Sequence, residues 1–157
     1  MDFYGFTLLL RWILGWFIQP KLRTLPVQSE RAEIAVIIPA RNEEKTISQL
    51  LNAIKQSEIA PTELVVVDDH STDNTSAIIS SYAKDGVKLI TLNEANALNS
   101  YKKKAIQTAI NTTTGKLIIT TDADCQMGPN WLPTIVNCYE RNGYKMISSP
   151  VAYFEEK

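Results

Sequence analysis

Three short charged runs carry most of the chemistry this sequence can offer. They are Arg41-Asn42-Glu43-Glu44, Asp68-Asp69-His70-Ser71 and Asp122-Ala123-Asp124. Each lies at the end of a short apolar run of the kind that forms a buried strand. Three strands would therefore deliver acids to one edge, where like charges repel. A divalent cation resolves that conflict. Mg2+ or Mn2+ takes carboxylate oxygens and completes its shell with phosphate oxygens and water. A metal bridging a diphosphate also stabilises the charge that builds on it as a leaving group. An Asp-x-Asp triplet alone is as readily a loop closed by an Asx-turn. Its place after a buried strand, beside two other acidic strand ends, points Asp122 and Asp124 to metal.

Other chemistries are disfavoured. No Gly-x-Gly-x-x-Gly follows the first strand and no Gly-x-x-x-x-Gly-Lys-Ser/Thr occurs, which speaks against dinucleotide oxidoreductases and P-loop enzymes. A diphosphate would have to be neutralised by metal and by lysine. Lys102-Lys103-Lys104 can supply that lysine, with two of the three serving as ordinary solvated charge. One histidine and two cysteines, Cys125 and Cys138, have no zinc-site spacing and no disulfide framework, and read as reduced thiols. With 16 basic and 17 acidic residues the chain has no general field for nucleic acid, so nucleic acid is not an expected partner.

The elements that must position these residues alternate regularly. Residues 34–38 form a strand ended by Pro39, and 64–67, 87–91, 117–121 and 145–149 form four more. Between them, helices are expected at about 43–56, after a cap at Ser71 or Thr72, at 101–112 and at 129–139. Asn42 is the expected cap of the first and Gly115 the stop of the third. Ile47, Leu50, Leu51 and Ile54 repeat at helical spacing, as do Ala105, Ile106, Ala109 and Ile110. The pattern predicts an α/β fold, a mostly parallel open sheet with helices on both faces. Such sheets bind ligands outside the carboxyl ends of their strands.

In this order, the segments IAVIIPARNEE, ELVVVDDHSTDNT, KKKAIQTAINTTTGK and LIITTDADC resemble the family-two glycosyltransferases, inverting enzymes of the Rossmann-like GT-A fold. The resemblance runs from about Ile34 to Ser149. It implies that Pro39, Ala40, Arg41 and Glu43 line a nucleoside pocket and that Asp69 accepts from the imide N–H of a uracil. Lys102 would lie near the nucleotide. Asp122, with Ala123 beside it, would sit by the ribose and diphosphate, and Asp124 would bind the metal. Asp68 and Ser71 fit supporting or capping roles. The implied donor is a nucleotide-diphosphate sugar, a UDP-sugar in the first instance, and the acceptor a glycan or lipid-linked hydroxyl in cell-envelope or polysaccharide synthesis. Two departures stand out. Tyr101-Lys102-Lys103-Lys104-Ala105 replaces the Gly-Lys-Gly-x-Ala of many relatives. The chain also reaches Lys157 before the acidic motif that carries the family's catalytic base and before any Gln-x-x-Arg-Trp, so the sequence reads as truncated and without its base.

The first 20 residues stand apart. Phe3 to Ile18 is nearly all apolar or aromatic, about 16 residues against the ~20 that span a bilayer. Arg11 interrupts it, and Asp2 with no small-residue cleavage site argues against a signal peptide. A helix docked on the protein's own core is one alternative. A membrane-associated hydrophobic helix is favoured, because Trp and other aromatics flank an apolar rod. Residues 21–32, with Pro26, Pro20 just before them and mixed charge, read as a linker to a domain at 33–157. Lys21, Arg23 and Arg31 place that domain on the cytoplasmic side. Two rivals remain. A non-catalytic nucleotide-binding module at the membrane would be told apart by turnover. A sugar-phosphate nucleotidyltransferase would need a Gly-rich basic signature where Ala40-Arg41-Asn42-Glu43-Glu44 stands.

Overall fold

The computed structural model describes residues 33–92 and 101–149. Four strands form one parallel sheet: β1 (Ile34–Ala40), β2 (Glu63–Asp68), β3 (Val87–Thr91) and β4 (Leu117–Thr120), in the order β3-β2-β1-β4. The helices between and after them are α1 (Ile47–Lys55), α2 (Thr75–Ser81), α3 (Tyr101–Thr112) and α4 (Trp131–Asn142). A 3-10 turn (Ala83–Asp85) precedes β3. The expected parallel α/β sheet is present. The expected N-terminal helix and linker lie outside the described residues, and among those described no helix is long and apolar enough to cross a membrane.

The sheet is buried on both faces, which is why β1 and β2 read as unbroken apolar runs. Ile34, Val36, Ile38 and Ala40 of β1 join Leu64 and Val66 of β2 against α1, α2 and α4. Ile37 of β1 and Val65 and Val67 of β2 turn the other way, onto Ala105 and Ala109 of α3. Burial of each such Val or Ile contributes about 1.5–3 kcal/mol. The alanines of α3 let that helix approach the sheet closely.

Several expectations are corrected. β1 does not stop at Pro39 but runs through it to Ala40. Proline in a central strand removes one ladder donor. Here Ile37 accepts from Thr121 N–H and Ala40 from Asp69 N–H, so the alternation of the ladder turns Pro39 toward β4. The last residue of β4 pairs with Ile37, so the missing N–H falls where no partner strand remains. The first helix starts at Ile47 rather than near residue 43, with Thr46 rather than Asn42 as its N-cap. Asn42 instead takes a left-handed φ of 56° and turns the chain out of β1. Asn74, not Ser71 or Thr72, precedes α2.

Gly115 does not cap α3, which ends at Thr112. Its role is close approach: a Cβ there would lie 2.8 Å from both the N and Cβ of Ala35, so only glycine lets this loop cross β1. Residues 145–149, expected as a fifth strand, form none. A strand exists only through a partner's hydrogen bonds, and a left-handed Gly143 (φ 60°) ends α4 and turns the chain away. A groove of about 1330 Å³ separates these residues from the free edge of β4, and Met146 is 86% exposed.

Candidate nucleotide and metal site

The strand order reverses between β1 and β4: β2 and β3 lie on one side of β1, and β4 on the other. Parallel sheets open a crevice at that point, beyond the strands' carboxyl ends. Pro39 to Asn42 leave β1 there, and Asp122 to Asp124 leave β4 there.

The loops after β1 and β2 are locked together by side chains that satisfy backbone donors. Asn42 N–H donates to Ser71 Oγ (2.9 Å), Glu43 N–H to Thr75 Oγ1 (2.8 Å) and Glu44 N–H to Asp73 Oδ2 (3.2 Å). In return Thr72 N–H donates to Asn42 Oδ1 (2.8 Å) and Asn74 N–H to Glu44 Oε2 (3.1 Å). The Thr75 hydroxyl donates to Asp73 Oδ1 (2.5 Å). Burial works to raise the Asp73 carboxyl, but hydrogen bonds from Thr75 and from Glu44 N–H prevail and hold it below its ordinary value. This clasp was missed from sequence, although the signal is there: Ser, Thr, Asn and Asp dominate both loops and are the residues that cap backbone groups locally.

The acids at the end of β2 are not bare. Asp68 is buried and accepts from Ser71 N–H (3.2 Å) and from the Ser76 hydroxyl. Asp69 is buried as well. Its Oδ1 lies 2.8 Å from His70 Nδ1, and its Oδ2 lies 3.8 Å from Arg41. His70 holds a left-handed φ of 57°, so β1 and β2 both exit through a left-handed polar residue two positions past the strand. At the end of β2 the crowding of like charge is eased by the protein's own donors and by the Arg41 guanidinium. Among the described residues no three His, Cys, Asp or Glu side chains gather to hold a metal.

Of the expected site residues, the structure joins Arg41 to Asp69 and Lys102 to Asp122, the latter at 2.6 Å. Ala40 is buried and contributes its carbonyl, bonded to Asp69 N–H (2.9 Å). Pro39 is half-buried beside it. Glu43 turns its carboxylate to the Thr46 hydroxyl (2.7 Å), at the start of α1. Ala123 is buried in the core cluster of α1 and α4, which leaves Asp122 and Asp124 exposed on either side of it. That donor set fits a divalent cation: two hard, solvent-facing carboxylates, with other coordination positions left for phosphate and water.

The family model for glycosyl transferase family 2 matches residues 35–157. The chain belongs to that family. Among its relatives is an undecaprenyl-phosphate 4-deoxy-4-formamido-L-arabinose transferase of Proteus mirabilis, 35% identical over 74% of this chain and 36% of the relative. The chain spans about a third of the length of the curated relatives it matches. A mannosyltransferase from Pyrobaculum calidifontis, solved in complex with GDP-Man and Mn2+, superposes with a TM-score of 0.68 at 26% identity, over 88% of this chain and 41% of that one. Staphylococcus aureus TarS (residues 1–349), solved in complex with UDP, gives 0.62 at 25% identity, over 79% and 40%. The family-2 relatives are named as glycosyltransferases, and solved neighbours hold nucleotide or nucleotide sugar, with Mn2+ in some of them. The fold is GT-A-like.

Proposed function

We propose that this chain forms the donor-binding part of a glycosyltransferase that uses a nucleotide-diphosphate sugar with Mg2+ or Mn2+ and inverts the anomeric centre. The observation that carries the reading is the switch point between β1 and β4, where the charged strand ends meet at the place parallel sheets bind ligands. Arg41 pairs with Asp69 beyond β1 and β2, and Lys102 pairs with Asp122, two residues before Asp124, beyond β4. Asp69 is the base-reading residue. Its carboxylate accepts an imide N–H, as uracil presents. Guanine N1–H offers the same donor, in keeping with neighbours that hold UDP and GDP-Man. Pro39, Ala40 and Arg41 form the wall beside the nucleoside, and the clasp of Glu43 and Glu44 onto Asp73 and Thr75 keeps that wall in place.

Asp122 and Asp124 would hold the divalent cation, with Lys102 nearby to pair a phosphate oxygen. When bound, the cation supplies stabilisation of the charge that the departing diphosphate develops. Inversion requires a carboxylate on the acceptor side to take the hydroxyl proton; none of the described acids is assigned that role. The acceptor is a hydroxyl of a glycan or a lipid-linked group. Residues 1–20 hold the chain at the membrane, with the domain on its cytoplasmic face.

Saturation-transfer NMR with Mg2+ and a panel of UDP-glucose, GDP-mannose, ATP and NAD tests the donor class. The expected result is saturation of nucleotide-diphosphate sugars, strongest on the base and ribose of the UDP-sugar. Equal or stronger saturation of ATP or NAD would contradict the reading.

A further inference from the structure

Asp122 already has a cation. Lys102, the second residue of α3, places Nζ 2.6 Å from Asp122 Oδ1. The two side chains are 58% and 53% exposed, so packing does not lock the pair and exchange of partners is inexpensive. We propose that Lys102 is a built-in counter-ion for Asp122, which competes with a divalent cation arriving alone and transfers to the diphosphate when cation and nucleotide arrive together. The inference rests on the reading of Asp122 and Asp124 as the metal and diphosphate site.

Charge balance supports it. Asp122 and Asp124 against Lys102 leave this corner with a single negative charge. A lone divalent cation would reverse that sign beside a tethered ammonium, and would compete with Lys102 for the Asp122 carboxylate. A divalent cation together with a doubly charged diphosphate restores the original balance. It also gives the displaced ammonium an anionic oxygen to bond. The site therefore favours the metal–nucleotide complex over free metal, and Lys102 sets that preference. Lys103, the next residue on α3, is exposed and carries the same charge without this pairing role, so it serves as the control.

The test measures Mn2+ alone, by loss of the free-ion signal in electron paramagnetic resonance, and then UDP or GDP at saturating Mn2+. It uses the unmodified chain, Lys102→Met and Lys103→Met. Lys102→Met should bind Mn2+ alone about two- to five-fold more tightly. It should bind the nucleotide about ten-fold less tightly in the presence of Mn2+. Lys103→Met should match the unmodified chain in both. Unchanged or weaker Mn2+ binding in Lys102→Met overturns the counter-ion role. Equal tightening in both variants overturns it too, because the effect would then be one of general charge. An unmodified chain that binds Mn2+ with nucleotide, beside a Lys102→Met that gains nothing for Mn2+ alone, removes this inference and leaves the site reading intact. An unmodified chain that binds neither nucleotide with Mn2+ removes both.

Discussion

Asp69 and Glu63 are both buried carboxylates of the same strand region, and their partners assign them different work. Glu63 opens β2 at the end of the sheet far from the crevice. It bonds Lys88 (2.9 Å) and both the N–H and hydroxyl of Thr114 (2.8 Å each). The Lys88 ammonium, with the Thr114 donors, pulls its carboxyl from an ordinary 4.5 down to about 2 against the opposing effect of burial. A depressed folded pKa stabilises the fold above the unfolded value and loses that stabilisation as the proton returns. The chain should therefore lose stability as pH falls from 4.5 toward about 2. Glu63→Gln should cost about 1–3 kcal/mol at neutral pH and flatten that acid loss. Urea midpoints across the acid range check both. Asp69, by contrast, keeps its carboxylate beside the crevice with Arg41 and His70. Asp69→Ala should weaken nucleotide binding by about ten-fold or more while unfolding midpoints move little by comparison; an unchanged nucleotide affinity would remove it as the base contact. The sequence exposed Asp69 through its strand-end position. It could not expose Glu63, whose partners lie 25 and 51 residues away.

At the scale of elements, the strands and most helices were legible because burial on both sheet faces writes itself as apolar runs and helical spacing. Val87–Thr91 and Tyr101–Thr112 stand where the sequence puts them. What could not be read was pairing. Lys145 to Ser149 have strand-like residues but no partner strand among the described residues, and Pro39 stays inside β1 only because β4 ends short of it. The clasp between the loops after β1 and β2 is likewise a matter of pairing. Its pivot is Thr75, fully buried, whose hydroxyl accepts from Glu43 N–H and donates to Asp73. Thr75→Val keeps the shape but leaves Glu43 N–H without its acceptor. The expected cost is about 1–3 kcal/mol, with weaker nucleotide binding as the Arg41 loop loosens. Amide exchange should rise across residues 42–46 and 71–75 together. A rise in one loop alone would show that the loops are not coupled.

For the whole molecule, the proposal has two parts: residues 1–20 hold the chain at a membrane, and the switch point of the parallel sheet binds donor and metal. The first part predicts that the full chain floats with liposomes and that removing residues 1–20 releases it; a full chain that stays with the soluble fraction would contradict it. The apolar run and flanking aromatics motivate that expectation. The second part is the central claim. Its parts were legible in sequence as three charged strand ends, but the difference between them was not: the acids of β2 are buried among the protein's own hydrogen-bond donors, while Asp122 and Asp124 stay exposed. Calorimetric titration of UDP into the chain with and without Mn2+, repeated on Asp124→Ala, tests that division most directly. Binding is expected with Mn2+, little without it, and the metal-dependent part should be lost in Asp124→Ala. Equal affinity with and without Mn2+, or an Asp124→Ala chain that binds as the unmodified one does, would contradict it.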